Sequence, residues 1–429
     1  MRDSVALNLQ NIELQNIDPQ KTLRPVSPAP VFPAFPAFVP APDPIPFNRF
    51  GKVGTEFAYI QQAIDALHIS GDGRFTALCH GILERATGAR KALLTTSCTH
   101  ALEMAALLLN IQPGDEVIIP SFTFVSTANA FVLRGAVPVF CDIRPDTLNL
   151  DESRVESLIT PRTRAIVPVH YGGVGCEMDA ICEIAARRGI AVVEDNAHGL
   201  FGFYKGKPLG SFGALATLSF HETKNFSCGE GGALLINDPA MIDRAEILRE
   251  KGTNRKRFFR GEVDRYSWVD TGSSYLPSEI LAAVLYAQLE ARAQIRKRRR
   301  NVWEFYAAQL TDWAAANGVG IPRIPAHCES SHHCFHLLLP TAHDRPRLIE
   351  HLKAKGILSV FHYLPLHLSE MGRKFGGVEG DCPVCEDISE RLLRLPFYNT
   401  LDFSTQWRIV GEIKRFDLPR GSDREVMAS

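Results

Sequence analysis

Residues 219–232 read SFHETKNFSCGEGG and join two apolar runs, at 214–220 and 233–236. The runs predict two buried strands, and the three glycines near the end of the joining segment predict a sharp turn of the backbone between them. Lys224 follows the first strand in a short polar loop. A lysine held against packed backbone is poorly hydrated, so its pKa is expected to fall, and a neutral amine is the nucleophile that condenses with an aldehyde. From this stretch alone, Lys224 is either such a nucleophile or an ordinary exposed loop lysine.

The chain has 429 residues, of which 45% are hydrophobic, and a formal net charge of -1. This length allows two domains and a large core. A charge near zero attracts neither nucleic acid nor an anionic membrane surface, and no apolar run approaches the length of a membrane span, so we expect neither as a partner. The ten cysteines are scattered and the start of the chain lacks a signal-peptide pattern, which predicts a cytoplasmic protein.

Two local patterns have competing interpretations. Cys382 and Cys385 form a C-x-x-C without a second pair nearby, so we interpret them as a loop feature and predict no metal site. The run RKRRR at 296–300 could contact nucleic acid, but it lacks interleaved aromatic residues and fits a solvated helix face better.

The predicted organisation is a tail followed by two domains. Residues 1–46 form the tail, because the prolines between 25 and 46 favour an extended spacer. Residues 47–285 form a large domain and residues 286–429 a smaller one. The smaller domain is predicted to be α/β, with strands at 334–339 and 358–361 and helices at 344–355 and 386–393, after a long linking helix at 278–303.

Short apolar strands alternate with helices between residues 91 and 194 of the large domain. The predicted strands are 91–95, 115–120, 137–140, 164–169 and 190–194, and the predicted helices are 99–109, 123–134, 151–159 and 176–188. This order implies a parallel sheet covered on both faces. Ligands of such sheets bind beyond the carboxyl ends of the strands, so the residues that follow each strand are the candidates.

Small hydroxylated residues follow the first of these strands. The sequence there is TSCTHA, residues 96–101, at the start of the next helix. Free amides at a helix start and the positive end of the helix dipole favour an anion such as phosphate. The same residues would also form an ordinary helix N-cap, and the sequence leaves both interpretations open.

Aromatic and acidic side chains follow two further strands. Phe124 comes shortly after the strand that ends at Pro120, where it either stacks on a flat ring or belongs to the core. Asp195 follows the strand at 190–194. A buried carboxylate needs a partner, and a protonated pyridine nitrogen, a salt bridge or a helix cap would each serve. His198 lies one turn later and could donate a hydrogen bond to a hydroxyl on the same ring.

An anion site, an aromatic ring, an aspartate and a lysine thus occur in chain order, each at a strand end. Together they predict a site for pyridoxal 5'-phosphate (PLP), with Lys224 as the Schiff-base lysine and Asp195 beside the ring nitrogen.

The same residues resemble a known family. The segments at 96–102, 113–118, 120–124, 193–195 and 219–232 are similar to those of the DegT/DnrJ/StrS-type sugar-nucleotide aminotransferases, and the similarity extends from about residue 46 to about residue 415. These enzymes share the PLP-dependent transferase fold of aspartate aminotransferase. The resemblance therefore implies a large domain with a mostly parallel sheet and a smaller C-terminal α/β domain.

The resemblance also implies a role for each matched residue. Lys224 would carry the cofactor, Asp195 would pair with the pyridinium nitrogen and Phe124 would stack on the ring. The residues implied to hold the phosphate are Cys98, Thr99 and Ser219. His198 stands where the family usually has glutamine, and either residue can donate a hydrogen bond to the cofactor. Ser274 stands where many relatives have an asparagine that reaches into the partner subunit's site.

The implied activity is a transamination in a homodimer with active sites at the subunit interface. L-glutamate would donate the amino group to a nucleotide-linked 4-keto-6-deoxy sugar. The segments at 125–135, 249–255 and 272–276 resemble the branch of the family that forms dTDP-4-amino-4,6-dideoxygalactose. The alternatives are a PLP-dependent sugar dehydratase, in which a histidine replaces the lysine, and a non-catalytic PLP-binding regulator. A nicotinamide dehydrogenase is disfavoured because GEGG lacks the G-x-G-x-x-G form.

Overall fold

The computed structural model describes residues 43–418. Residues 1–42 of the predicted tail lie outside the described residues. Ile45, which falls within the predicted tail, is buried. Its amide donates to the carbonyl of Gly356 at 2.7 Å, and its carbonyl accepts from the amide of Leu358 at 2.9 Å.

Thirteen strands form three sheets within residues 43–418. They are β1 Lys91–Thr95, β2 Glu116–Pro120, β3 Val137–Cys141, β4 Thr163–Ile166, β5 Ala191–Asp195, β6 Phe203–Tyr204, β7 Lys207–Pro208, β8 Leu215–Ser219, β9 Gly232–Ile236, β10 Cys328–Glu329, β11 His336–Leu338, β12 Val360–Phe361 and β13 Leu392–Arg394.

The main sheet has seven strands in the order β1-β9-β8-β5-β4-β2-β3. Strand β9 runs antiparallel to both of its neighbours, and the other neighbouring pairs are parallel. Six strands therefore place their carboxyl ends at one edge of the sheet, as the strand–helix alternation predicts. The connection between β8 and β9 contains no helix and returns the chain beside β8, so β9 runs antiparallel to it.

Fourteen α-helices occur in the same range. They are α1 Glu56–Asp65, α2 Arg74–Thr87, α3 Cys98–Leu108, α4 Val125–Val132, α5 Glu152–Leu158, α6 Met178–Arg188, α7 Ile242–Arg249, α8 Arg255–Phe259, α9 Glu279–Glu290, α10 Arg292–Asn317, α11 Asp344–Ala354, α12 Glu370–Lys374, α13 Pro383–Arg391 and α14 Phe403–Arg415. Among these helices none is both long and apolar enough to cross a lipid bilayer.

Hydrophobic clusters cover both faces of the main sheet. Successive strand residues point to opposite faces, so Leu93 packs into the cluster under α3 and α7, whereas Leu94 packs into the cluster under α2 and α9. Leu234 and Leu235 of β9 divide between the two clusters in the same way. The sheet is therefore the central layer of a three-layer core.

A second core surrounds the small antiparallel sheet β11-β13-β12. Tyr306 of α10, Leu352 of α11 and Ile409 of α14 pack there against Leu337 and Leu393. The sequence predicts a helix over 386–393, but α13 ends at Arg391 and the next residues form β13. The apolar pair Leu392–Leu393 pairs with β11 instead of extending the helix, so this prediction is wrong at its C-terminal end.

Three further expectations need correction. The long helix predicted at 278–303 is two helices, α9 and α10, which meet at Ala291. Arg299, in the basic run predicted to be solvated, is buried and donates to the carbonyl of His332 at 3.0 Å. Cys382 and Cys385 are not a loop feature: Cys382 caps α13, Cys385 lies within it, and both are fully buried in an apolar cluster.

Candidate active site

A cavity of about 790 Å³ opens at the carboxyl edge of the main sheet. It is lined by seven of the eight candidate residues named from the sequence, and they come from four separate segments. These are Cys98, Thr99, Phe124, Asp195, His198, Ser219 and Lys224. Because the parallel strands end at the same edge of the sheet, residues more than 120 positions apart in the sequence line one cavity.

Lys224 lies in the turn that follows β8, where its amide donates to the carbonyl of His221 at 2.9 Å. Burial lowers the pKa of its amine below the ordinary value of a lysine. Cys98 and Asp195 act in the opposite direction on this pKa, and the positive charge of Arg394 adds to the lowering. The poor hydration expected from the sequence is thus present, and the exposed-loop alternative does not describe this lysine.

The glycines after Lys224 serve different purposes. Gly229 has a φ of +89°, so it makes the turn that the sequence predicts. Gly232 instead permits a close approach, because a Cβ there would lie 2.4 Å from the amide nitrogen of Cys98. A side chain at Gly232 would push β9 away from the start of α3 and so disturb the wall of the cavity.

The segment TSCTHA at the start of α3 forms a helix N-cap and also leaves amides for an anion. Ser97 is the N-cap, and its hydroxyl accepts from the amide of His100 at 3.1 Å. The amides of Cys98 and Thr99 lie in the first turn, where a helix leaves N–H groups without intrahelical partners. The Thr99 hydroxyl lies 2.7 Å from that of Ser126, which also lines the cavity. This end of the cavity therefore suits an anion.

Asp195 ends β5 and is 5% exposed. One carboxylate oxygen accepts from the Thr127 hydroxyl at 2.8 Å, and the other accepts from the amide of Ala197 at 3.2 Å. Within residues 43–418 no cationic side chain forms a salt bridge with it. A buried carboxylate with only neutral donors is suited to a positively charged group from a ligand, such as a protonated ring nitrogen.

Phe124 and Phe122 show which aromatic ring belongs to the core. Phe122 is 1% exposed and packs in an apolar cluster, whereas Phe124 is 57% exposed and faces the cavity. The core interpretation of Phe124 is therefore wrong, and its ring is available for stacking. Ser219, the last residue of β8, places its side chain on the same cavity.

Ser274 lies elsewhere in the chain. It lines a different cavity, of about 720 Å³, together with charged residues that include Lys251 and Arg255. The structure of one chain therefore does not bring Ser274 together with Lys224. Its contribution to the site of a partner subunit stays a prediction.

Residues from the C-terminal part complete the cavity, and the sequence interpretation missed them. They are His333, Cys334, Val360, Phe361, His362, Tyr363, Leu364, Arg394 and Phe397. Arg394 lies in β13, which the sequence assigns to no strand. The apolar run before Pro396 is the signal that could have placed it.

Arg394 is incompletely paired. One terminal nitrogen donates to the carbonyl of Phe361 at 3.2 Å, and the guanidinium lies 4.8 Å from the centre of the Phe47 ring. Its Nε is buried without a hydrogen-bond partner in the structure. A cation that lines the cavity and has no carboxylate partner within residues 43–418 is suited to an anionic ligand group.

The residues present fit PLP. The cavity offers a helix start for the phosphate, a buried carboxylate without a cationic partner for the ring nitrogen, an exposed aromatic for the ring face and a desolvated lysine for the aldehyde.

Comparisons with known proteins agree with this chemistry. Residues 53–414 match the DegT/DnrJ/EryC1/StrS aminotransferase family. The spore coat polysaccharide biosynthesis protein SpsC of Bacillus subtilis is 34% identical over 78% of this chain and 87% of its own length.

Two solved structures have closely similar folds. DesV of S. venezuelae, determined in complex with a ketimine intermediate, is 30% identical with a TM-score of 0.80, over 88% of this chain and 100% of that chain. The PLP form of the sugar aminotransferase Spr1654 of Streptococcus pneumoniae, described as putative, is 26% identical with a TM-score of 0.80, over 86% and 98%. The fold and the cofactor expected from the sequence are confirmed. The chain therefore belongs to the DegT/DnrJ/EryC1/StrS aminotransferase family and is a PLP-dependent sugar aminotransferase.

Proposed function

We propose that the protein transfers the amino group of L-glutamate to a nucleotide-linked 4-keto-6-deoxy sugar. The products would be 2-oxoglutarate and a 4-amino-4,6-dideoxy sugar nucleotide, with dTDP-4-amino-4,6-dideoxygalactose as the first candidate. One observation carries this proposal: a single cavity combines the desolvated Lys224, the carboxylate of Asp195 without a cationic partner and the cation of Arg394 without a carboxylate partner.

Lys224 has the properties of a group that both attaches the cofactor and moves a proton. When bound, PLP supplies an electron sink for the charge left on the carbon that loses its proton. Because burial lowers the pKa of Lys224, its amine accepts and releases a proton more readily near neutral pH than an exposed lysine does. We assign it the transfer of the proton at the substrate carbon.

Asp195 is assigned the pairing with the ring nitrogen. Its carboxylate is held by the Thr127 hydroxyl and the Ala197 amide, so its orientation is set before any ligand enters. A preorganised charge needs little rearrangement when the charge of the reacting group changes. The start of α3 at Cys98 and Thr99 and the hydroxyl of Ser219 are assigned to the phosphate, and the ring of Phe124 to stacking.

Arg394 supports an amino acid as the donor. A donor such as glutamate carries carboxylates, and a guanidinium binds a carboxylate with two parallel hydrogen bonds in the best geometry. Among residues 43–418 no carboxylate forms a salt bridge with Arg394, so its positive charge on the cavity wall has no anionic partner within the chain.

The acceptor is proposed from size and similarity. A volume of about 790 Å³ lies within the range of small-molecule sites. SpsC is named for the biosynthesis of a spore coat polysaccharide, which supports a sugar as the acceptor. The nucleotide and the position of the keto group rest on the resemblance of the segments at 125–135, 249–255 and 272–276 to one branch of the family.

A homodimer is proposed from exposed apolar surface. Val125 and Leu133, at the two ends of α4, are more than half exposed, and Trp268 is 80% exposed. Large exposed apolar side chains of this kind are typical of protein interfaces. A second copy of the chain would cover them, and Ser274 would then be free to act on the partner's site. The ten cysteines all carry free thiols, which supports the proposed cytoplasmic location.

The experiment is an incubation of the purified protein with glutamate and a panel of nucleotide-linked keto sugars. We expect equal amounts of 2-oxoglutarate and of one amino sugar nucleotide. Loss of a sugar hydroxyl without 2-oxoglutarate would indicate a dehydratase. Cofactor binding without either product would indicate a regulator. Either of these two results would refute the proposal.

A further inference from the structure

Three histidines with at most 7% exposure line the cavity: His198, His333 and His362. Two of them form a stacked pair. The ring centres of His198 and His333 lie 4.0 Å apart with an angle of 15° between the planes. His198 comes from the segment after β5, whereas His333 comes from the segment before β11, so the pair joins two distant parts of the chain.

Hydrogen bonds set the position of the proton on each ring. The amide of Gly172 donates to Nδ1 of His198 at 3.4 Å, so Nδ1 carries the lone pair and Nε2 carries the proton. The side-chain amide of Asn225 donates to the carbonyl of Ser331 at 2.9 Å, which leaves its oxygen facing Nδ1 of His333 at 2.9 Å. His333 therefore donates from Nδ1.

Both rings are neutral in this environment. Burial lowers the pKa of each histidine well below its ordinary value, and the cations of Lys224 and Arg394 act in the same direction. The ring of His362 also faces His198, 6.2 Å away, and the edge of Tyr171 lies at 6.0 Å. A neutral His198 with an occupied Nδ1 has one donor left, the Nε2–H group.

The resemblance implies that most relatives have a glutamine at the position of His198. The amide of a glutamine always carries a donor, but a histidine donates from Nε2 in only one of its two neutral tautomers. A histidine at this position therefore needs contacts that fix both its tautomer and the plane of its ring.

We infer that His333 is a positioning residue for His198. Fixed by Asn225, the stacked ring of His333 holds the plane of the His198 ring. With the tautomer that the Gly172 amide sets, His198 would then present Nε2–H to the hydroxyl oxygen of the PLP ring. Asn225 directly follows Lys224, so the loop that carries the lysine also anchors this pair. The inference rests on the proposed placement of PLP in the cavity beside His198.

The test is a pH titration of the visible absorption band of the cofactor-loaded protein, without substrate. A donor to the ring oxygen stabilises negative charge there and so favours loss of the proton from the Lys224–cofactor linkage. His198→Ala should therefore move the midpoint of the titration upward by about 1 pH unit, as expected for one charge-assisted hydrogen bond. His333→Ala should move it in the same direction by a smaller amount.

The double variant His198→Ala/His333→Ala separates positioning from general damage. If His333 acts only through His198, the double variant has the midpoint of His198→Ala alone. If the midpoint shift of the double variant equals the sum of the shifts of the two single variants, the inference is overturned. His336→Ala is the matched control, because it removes a buried histidine three residues from His333 that has no ring contact with His198 in the structure. Its midpoint should equal that of the wild type.

Failure of the inference is distinguishable from failure of the proposed site. A wild-type midpoint in His198→Ala would refute the placement of the PLP ring beside His198. A shift in His198→Ala without one in His333→Ala would refute only the positioning role. If a variant does not fold, nitrogen NMR of histidine-labelled wild-type protein gives the answer, because a proton on Nδ1 of His198 would overturn the inference and a proton on Nε2 would support it.

Discussion

The two walls of the active-site cavity are built from different kinds of structure. One wall consists of the segments that follow strands of the main sheet, and it carries the start of α3, Asp195 and Lys224. The opposite wall comes from the small antiparallel sheet and the segments around it, and it carries several rings and the cation of Arg394.

The groups on these walls are also held differently. Asp195 has hydrogen bonds to both carboxylate oxygens, whereas Arg394 keeps a buried nitrogen without a partner. A fully held group suits a cofactor that stays bound, and an incompletely paired one suits substrates that enter and leave. We call the wall built by the main sheet the first wall and the wall built by the small sheet the second wall. We expect substitutions on the first wall to abolish the amino-transfer reaction and substitutions on the second wall to weaken substrate binding.

The largest effect is expected from Lys224→Ala on the first wall. The change removes both the nucleophile and the proton-transfer group, so amino transfer should fall by a factor of about 10⁴ or more. Coupled measurement of 2-oxoglutarate release checks this. Lys205→Ala is the control, because Lys205 is an exposed loop lysine that pairs with Asp179, and its variant should retain full activity. A Lys224→Ala protein with substantial turnover would contradict the assignment.

Asp195→Asn should have the next largest effect. The substitution keeps the shape but removes the charge that faces the ring nitrogen, and loss of such a preorganised group costs about 100- to 1000-fold in rate. The cofactor should still be retained through the start of α3 and Lys224, which its absorption spectrum would show. Near-normal turnover would refute the role of Asp195.

Arg394→Gln tests the second wall. Loss of a charged hydrogen-bonding partner for a carboxylate should raise the KM for glutamate about 10- to 100-fold and leave the KM for the keto sugar near its wild-type value. The matched control is Arg345→Gln, since Arg345 stacks near Phe361 at 5.8 Å but lies outside the cavity lining. A higher KM for the sugar alone would assign Arg394 to the nucleotide phosphates instead.

The smallest effect is expected from Thr127→Val. This change removes one of the two hydrogen bonds that hold Asp195, and a single net hydrogen bond of about 1 kcal/mol corresponds to a loss of roughly 5-fold in rate. Thr127→Ser keeps the hydroxyl and should restore the rate. If Thr127→Val equals the wild type, the orientation of Asp195 does not depend on this contact.

The two walls also differ in how far the sequence predicts them. The main-sheet wall is predictable because each of its residues follows a strand in a strand–helix alternation, and parallel strands end at one edge. Phe124, Asp195 and Lys224 are found in this way. The role of Gly232 is not, because the close approach to Cys98 depends on how β9 packs against α3.

The second wall is hard to predict because it depends on the pairing of distant strands, which the local sequence pattern does not reveal. The residues at 392–394 continue an apolar helical pattern, and only their pairing with β11 and β12 turns them into a strand. That pairing is what places Arg394 on the cavity. His333 is likewise placed by the hydrogen bond that its Nδ1 donates to the side-chain oxygen of Asn225, more than 100 positions away.

The central claim is that Lys224 carries the cofactor, and its most direct test is borohydride reduction of the PLP-loaded protein followed by peptide mapping. The reduction fixes the cofactor on the lysine that holds it. The account predicts one pyridoxyl group per chain, on the peptide that contains Lys224. A label on any other lysine, or no covalent label at all on a loaded protein, would contradict it.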